Sequence, residues 1–174
     1  LLFFANVAKP FLIKNLNILC KNLKIHSWIE LAQTPMLASQ FGVIVRIHAD
    51  EALQKWIPPS PFAHELLQQW PHVLKNSLDF MYHTVAPKLS KAVSDGNISY
   101  ILPWTDILPL TLTASIIADS YIKYYFIEIQ RYMKTDVIQA ARTYQIMKSN
   151  IPFKFVNHPR VVNRLIDVLN VLKE

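Results

Sequence analysis

Residues 100–134 read YILPWTDILPLTLTASIIADSYIKYYFIEIQRYMK, the longest apolar-dominated run in this chain of 174 residues. If the run crosses a bilayer, the chain is a membrane subunit. If it does not, the run is the central helix of a helical domain. Asp106 and Asp119 enclose only twelve uncharged residues, whereas a membrane-spanning helix needs about 20. The spacing favours a buried central helix over residues 107–134, and a single membrane span over Ile107–Tyr125 is the alternative left open.

One polar line runs down this otherwise apolar helix. Thr111, Ser115, Asp119 and Lys123 follow one another at intervals of four residues, and side chains with that spacing share one helix face. A single polar line suits a helix that is buried on most sides and keeps one side for polar partners. We therefore take these four residues as interaction candidates, with Asp119 and Lys123 placed to form an internal ion pair.

The composition favours helices and docking surfaces. Two glycines stand against eleven prolines, whereas sheets and barrels need glycine at their turns and bulges. No Gly-x-Gly motif occurs, which argues against a phosphate-binding glycine loop. Hydrophobic residues make up 52% of the chain and charged residues only 17%, compared with about 25% charged residues in average domains. Such a composition fits two alternatives equally well, a compact helical protein and a protein covered by partners or lipid.

Proline positions and apolar periodicity divide the chain into helices. We predict an all-α fold, an irregular bundle of about seven helices around the long central helix at about 107–134. The bundle is expected to form one helical domain over residues 1–174. An N-terminal arm over residues 1–31 would include the amphipathic basic helix 11–31, and residues 135–174 would form a basic helical pair.

Further expectations concern the ends of helices. Pro87 should kink or split the helix in which it lies, and residues 94–97 (SDGN) form the clearest loop signal. Thr135 is expected to cap a helix that ends near Ser149, and residues 151–157 (IPFKFVN) to be extended. Pro159 should begin the last helix. Its predicted buried face consists of Val162, Leu165, Ile166, Leu169 and Leu172.

No catalytic or metal signature is present in the sequence. The six histidines include no pair three or four residues apart, and a zinc site needs three or four converging ligands. Nucleophile motifs such as G-x-S-x-G are also missing. The single cysteine, Cys20, forbids an internal disulfide and favours an intracellular, reducing compartment. We predict no catalytic residue, no cofactor and no metal.

The C-terminal region is basic. Residues 131–174 contain eight lysines and arginines against three acidic residues. Basic side chains interleaved with aromatic ones can bind phosphates and stack on bases. These cations are spread over two helices and a linker, so a surface that faces a protein partner is preferred and RNA binding is the alternative. The interaction candidates in this tract are Arg131, Lys134, Arg142, Lys148, Lys154, Arg160 and Arg164.

The same central stretch resembles a known family. The run LPW at 102–104, an apolar helix with threonines, and QRYMK at 130–134 are similar to the first core membrane helix of the Oxa/YidC insertases. The resemblance covers residues 100–134. The arginine that the family places within this helix has no counterpart near Ser115, and no long charged hairpin follows. A membrane-protein insertase fragment is therefore an alternative, and no residue roles are carried over.

The sequence favours a non-catalytic helical subunit of a larger, membrane-associated assembly that acts through apolar and basic docking surfaces. A mitochondrial membrane or matrix is the expected location. The basic ends, which flank a neutral apolar middle, suit anionic lipid headgroups, RNA or acidic faces of neighbouring subunits. Other protein subunits are the expected partners, and a membrane surface or nucleic acid are the alternatives. A soluble RNA-binding or regulatory domain is the second hypothesis, and an enzyme that acts in an apolar pocket, with Asp119, Lys123 or a histidine as its polar group, is the third.

Overall fold

A computed structural model of the chain describes Pro10 and residues 53–60, 63–64 and 81–173. The chain divides into two compact units, Leu1–Phe80 and Met81–Glu174. The predictions for the arm 1–31 lie outside the described residues. In the first unit a helical turn at residues 53–55 is followed by a cis peptide bond between Pro58 and Pro59. Whether the two units fold cooperatively as one domain stays a prediction.

The second unit is built from helices. The described residues contain no β-strand, which confirms the all-α prediction, and six α-helices agree with the expected number of about seven. The α-helices are α1 (Ala86–Val93), α2 (Leu110–Ile116), α3 (Lys123–Met133), α4 (Val137–Asn150), α5 (Phe153–Val156) and α6 (Pro159–Val171). Two π-helical segments cover Met81–Val85 and Ile117–Ile122, and two 3₁₀-helices cover Ile98–Tyr100 and Leu102–Asp106.

The predicted central helix is present as three consecutive segments. α2, the π-helical segment Ile117–Ile122 and α3 follow one another without a break, because the backbone keeps helical angles at both junctions. We call these segments together the central helix. It begins at Leu110, slightly later than predicted, because Pro109 is extended with a ψ of 138° and serves as the N-cap residue.

The single membrane span that was left open over Ile107–Tyr125 has no support from the described helices. Among the described residues, no helix is both long enough and apolar enough to cross a bilayer.

The central helix is the core of the second unit. Its π-helical segment buries Ile117, Ala118, Ser120, Tyr121 and Ile122. α1 packs against this segment, α6 packs against α2, the π-helical segment and α3, and α4 packs along α3. A fully buried aliphatic side chain contributes about 1.5–3 kcal/mol through the hydrophobic effect. Burial of several such residues from one helix therefore explains why the other helices are arranged around it.

The hydroxyl of the fully buried Tyr121 has a hydrogen-bond partner. It donates to the carbonyl oxygen of Met147 in α4 over 3.2 Å, which joins the central helix to α4. Burial of the ring, with a smaller effect of the neighbouring Tyr125, raises the pKa of Tyr121 well above its usual value. Tyr121 thus stays neutral and donates its proton in a hydrogen bond, as buried tyrosines usually do.

Two predictions about the linkers are wrong. α4 is capped by Asp136, whose Oδ1 accepts from the backbone N–H of Gln139 over 2.9 Å, while Thr135 still belongs to the turn that ends α3. The segment expected to be extended instead contains the short helix α5. This helix turns Phe155 into the core and leaves Phe153 85% exposed, so the two aromatic rings that frame Lys154 have opposite environments.

The last helix begins where it was predicted, but it presents a different face to the core. Pro159 is its first residue, and the Nδ1 atom of His158 accepts from the Arg160 N–H over 3.3 Å. The buried residues are Val161, Leu165 and Val168. Of the predicted buried face only Leu165 is buried; Val162 and Leu172 are intermediate, and Ile166 and Leu169 are 47% and 37% exposed.

The predicted loop is confirmed, whereas no break appears at Pro87, because the backbone of Val85 keeps helical angles at the junction before it. Residues 94–97 form the turn between α1 and the first 3₁₀-helix, with Gly96 at a φ of 87°. Pro87 marks the position where a π-helical segment gives way to α1. Proline is tolerated there because the first residues of a new helical segment do not need their N–H groups for intrahelical bonds.

Candidate functional site

Asp119 joins the central helix to α6. It lies in the π-helical segment, and the other residues of that segment from Ile117 to Ile122 are buried. Its carboxylate accepts from Arg160 Nη2 over 2.6 Å and lies 3.6 Å from Arg164 Nη2. The predicted ion pair with Lys123 is therefore replaced by pairs that cross from one helix to another.

A groove lies beside this ion-pair cluster, between the central helix and α6. We call it the α6 groove; its volume is about 430 Å³. Its apolar lining consists of Ile122, Phe126, Ile127 and Val168. Its polar lining consists of Asp119, Lys123, Gln130, Arg160, Arg164 and Asp167. An apolar floor with charged edges is typical of a surface that binds an amphipathic partner.

The polar line of the central helix forms a ridge between two clefts. Asp119, Lys123 and Ile127, spaced four residues apart, line both the α6 groove and a second cleft of about 520 Å³ on the α1 side. The second cleft also contains Ser90 and Ser120, whose hydroxyl oxygens share a hydrogen bond of 2.5 Å. Sequence reasoning missed Ser120, because nothing in the order of residues shows which polar side chain meets α1.

The first two residues of the polar line, Thr111 and Ser115, line neither of the two clefts. Thr111 is exposed, and the hydroxyl of Ser115 donates to the Thr111 carbonyl oxygen over 2.8 Å. This bond stays within α2, and among the described residues no hydrogen bond joins Ser115 to another helix. Of the four predicted residues, the structure therefore brings Asp119 and Lys123 to the groove and leaves Thr111 and Ser115 on the outer surface of α2.

The predicted basic tract does not form one continuous patch. Arg160 and Arg164 contact Asp119, and Arg164 also lies 3.3 Å from Asp167. Lys154 donates to the Thr105 carbonyl oxygen and to Asp106, over 2.9 Å and 2.7 Å.

The other cations of the tract lie on α3, α4 and the turn between them. Arg131 is 3.8 Å from Glu128 and also lies over the ring of Tyr132. Lys134, Arg142 and Lys148 are exposed, and among the described residues none of the three has a carboxylate within ion-pair distance. Four of the seven predicted cations are thus engaged with acidic groups of the chain itself.

The outer half of α4 is a second candidate surface. Val137, Ile138 and Ile146 are 57%, 68% and 54% exposed, and Arg142 and Lys148 lie on the same half. At about 100° per residue, Ile138, Arg142 and Ile146 share one strip of the helix on the side opposite the buried Ala140, Thr143 and Met147. Val137 and Lys148 lie at the other edge of the exposed half. We call this surface the α4 face; it combines large apolar groups with unpaired positive charges.

Within residues 53–60, 63–64 and 81–173, no cluster of three or more His, Cys, Asp or Glu side chains could hold a metal ion. The predictions that the chain has no catalytic residue and no cofactor stay predictions.

Comparison with known proteins gives one partial similarity. No protein-family model matches the chain. The chain is similar to Tuftelin-interacting protein 11 of Xenopus laevis, with 32% identity over 99 residues. The matched region is 54% of this chain but only 12% of that protein. The similarity therefore concerns a small part of a much longer protein.

Proposed function

We propose that the chain is a non-catalytic helical interaction module, a structural subunit of a larger protein assembly that docks through the α4 face. The observation that supports this proposal most is the exposure of Ile138 and Ile146, at 68% and 54%, on one strip of α4. Single exposed apolar residues are common on protein surfaces, but large aliphatic residues that share one strip of a helix are typical of an interaction site.

The charges on the α4 face support a protein partner. Arg142 lies between Ile138 and Ile146, Lys148 lies at the edge of the exposed half, and within the described residues neither cation has an ion pair. Interfaces combine an apolar centre with a charged rim, and the rim charges select the partner and speed its approach. A partner with aliphatic residues and nearby carboxylates would complement this face.

The similarity to a larger protein is compatible with this role. Tuftelin-interacting protein 11 is named for an interaction, and a helical segment that contacts a partner would suit a protein with such a name. The membrane-associated, mitochondrial setting expected from composition stays a prediction from the sequence. RNA binding receives less support, because four of the seven cations in the basic tract contact carboxylates.

The test is the size of the particle that contains the chain. We expect the tagged full-length chain to elute from a native cell extract far above its own mass of 20.1 kDa. A variant carrying both Ile138→Glu and Ile146→Glu should move toward that mass, because each substitution removes an apolar contact and places a carboxylate that must lose its water at the interface. Both positions are more than half exposed, so the thermal unfolding midpoint should change little.

A matched control lies on the same face. Gln145→Glu adds one negative charge at an exposed position of α4 without removing apolar surface, and it should leave the particle size close to that of the wild type. A wild-type chain that elutes at its own mass, with and without detergent, would refute the proposal. Loss of the large particle on ribonuclease treatment would favour the RNA-binding alternative.

A further inference from the structure

We infer that the α6 groove is a specific binding site for an acidic amphipathic helix of a partner protein, and that Asp119 occupies part of this site when the partner is absent. This inference rests on the proposed interaction function and deepens it, because it gives the chemistry of one partner segment and assigns it to a surface different from the α4 face.

Side chains recur every four residues along both walls of the groove, so each wall is one face of a helix. On the central helix, Lys123 and Ile127 are four residues apart, and so are Phe126 and Gln130. On α6, Arg160, Arg164 and Val168 have the same spacing. A partner helix laid between two such walls presents apolar anchors at intervals of three and four residues, which is the usual form of helix-in-groove binding.

The floor of the groove is apolar and partly open to solvent. Ile127 is 55% exposed and Phe126 is half-buried, while Val168 is fully buried beneath them. Covering the exposed part of these side chains would remove apolar area from water, at about 25 cal/mol per Å². Leucine, isoleucine or phenylalanine side chains of a partner are the groups that fit such a floor.

The charges at the rim point to carboxylates in the partner. Lys123, Arg160 and Arg164 line the groove together with only two acids, Asp119 and Asp167. Lys123 is exposed and has no ion pair within the described part of the chain. A guanidinium carries five N–H donors, and within the described part of the chain the Arg160 side chain makes one hydrogen bond, to Asp119. Donors therefore remain for incoming carboxylates.

A densely charged polyanion suits the groove less well. Asp119 and Asp167 would face each phosphate that entered, and like charges at close range repel one another. Isolated carboxylates on a helix can instead be spaced to reach the cations and avoid the two acids. The mixture of apolar floor, three cations and two acids thus fits an acidic amphipathic helix and not a stretch of RNA.

Asp119 competes with the partner for the same arginines. Its oxygens lie 2.6 Å from Arg160 and 3.6 Å from Arg164, so part of the positive charge of the groove is neutralised within the chain. Replacing this carboxylate with an amide of similar size would release both guanidinium groups. A role of Asp119 in stability alone would not make the chain bind an acidic helix more tightly, which separates the two explanations.

The test measures the binding of a designed peptide to the full chain. The probe is a fluorescein-labelled helical peptide of about 15 residues, with leucines three and four residues apart and glutamates on both flanks. A matched peptide carries glutamine in place of each glutamate. Fluorescence anisotropy at low salt should show about tenfold tighter binding of the glutamate peptide, and added salt should reduce this difference.

Four variants assign the binding to the groove. Lys123→Glu and Ile127→Glu, both at exposed positions, should each weaken binding about tenfold. Asp119→Asn should tighten it severalfold. Ile138→Glu on the α4 face should leave it unchanged. Equal affinity for the two peptides, or wild-type binding by Ile127→Glu, overturns the inference.

Two further outcomes separate this inference from the proposed function. If the α4 variants disrupt the large particle but the peptide does not bind, the groove assignment fails while the interaction function stands. If single-stranded oligouridine binds and displaces the peptide, and Ile127→Glu weakens both, the groove is a nucleic-acid site and the inference is wrong.

Discussion

At the scale of single residues, Gly96 shows how one position fixes a loop against the central helix. Its φ of 87° lies in the left-handed region, where residues with a Cβ atom are strained by about 1–2 kcal/mol. A Cβ atom there would lie 2.6 Å from Cε1 of Tyr124, and the carbonyl oxygen of Gly96 accepts from the Tyr125 hydroxyl over 3.3 Å. Both the backbone angle and the close approach of α3 therefore require glycine.

Gly96→Ala should lower the free energy of unfolding by about 1–3 kcal/mol, as measured by urea denaturation. Part of this loss comes from the backbone and part from the Tyr124 ring. In a Tyr124→Ala background the ring is gone, so the same substitution should cost only about 1–2 kcal/mol.

Ser94→Ala is the control for this measurement, because it removes an exposed hydrogen bond in the same loop and should stay within about 0.5 kcal/mol of the wild type. Equal losses from Gly96→Ala in both backgrounds would show that the close contact with Tyr124 has no energetic effect.

At the scale of helices, the apolar pattern predicts reliably that a helix forms. It predicts less reliably which side of that helix faces the core. α6 carries valine, leucine or isoleucine around much of its circumference, so two overlapping stripes are both compatible with helical periodicity. The structure selects the stripe of Val161, Leu165 and Val168. This leaves Ile166 and Leu169 in contact with solvent, where a pattern based on sequence alone had placed them in the core.

The two phenylalanines of α5 have the same side chain but opposite burial. Substituting each of them tests which side of α5 faces the core. Phe155→Ala should lower the free energy of unfolding by about 3–5 kcal/mol, because a fully buried ring leaves a cavity. Phe153→Ala removes a ring that is 85% exposed and should change stability by less than about 0.5 kcal/mol. Thermal or urea unfolding of both variants gives the comparison, and similar losses would mean that α5 faces the core differently.

At the scale of the molecule, the contacts divide the chain at Phe80. The second unit contains its own set of fully buried side chains, including Leu89, Ile117, Tyr121 and Phe155. These belong to α1, the central helix and α5, so the unit has a core formed by distant parts of its own sequence. Domains with such a core generally fold without the rest of their chain.

Residues 81–174 expressed alone should therefore be folded. We expect the helical circular-dichroism spectrum of a native protein and a single cooperative thermal transition. The full chain under the same conditions is the control. A fragment that is unfolded while the full chain melts cooperatively would instead support one domain over residues 1–174, as the sequence predicts.

The sequence by itself determined that this protein is helical, and where several helices of the second unit begin and end. Proline-marked helix starts, scarce glycine and apolar periodicity are local signals, and the hydrogen bonds of a helix are local too. The central helix, the Pro159 start and the loop at 94–97 follow from them.

Only the tertiary structure decided which side of α6 is buried, where the π-helical segment lies and which groups Asp119 contacts. Its partner Arg160 is 41 residues away in the chain. Such a pair depends on how helices pack, and helix packing is set by the shapes of whole buried faces, which the order of residues along one helix does not specify.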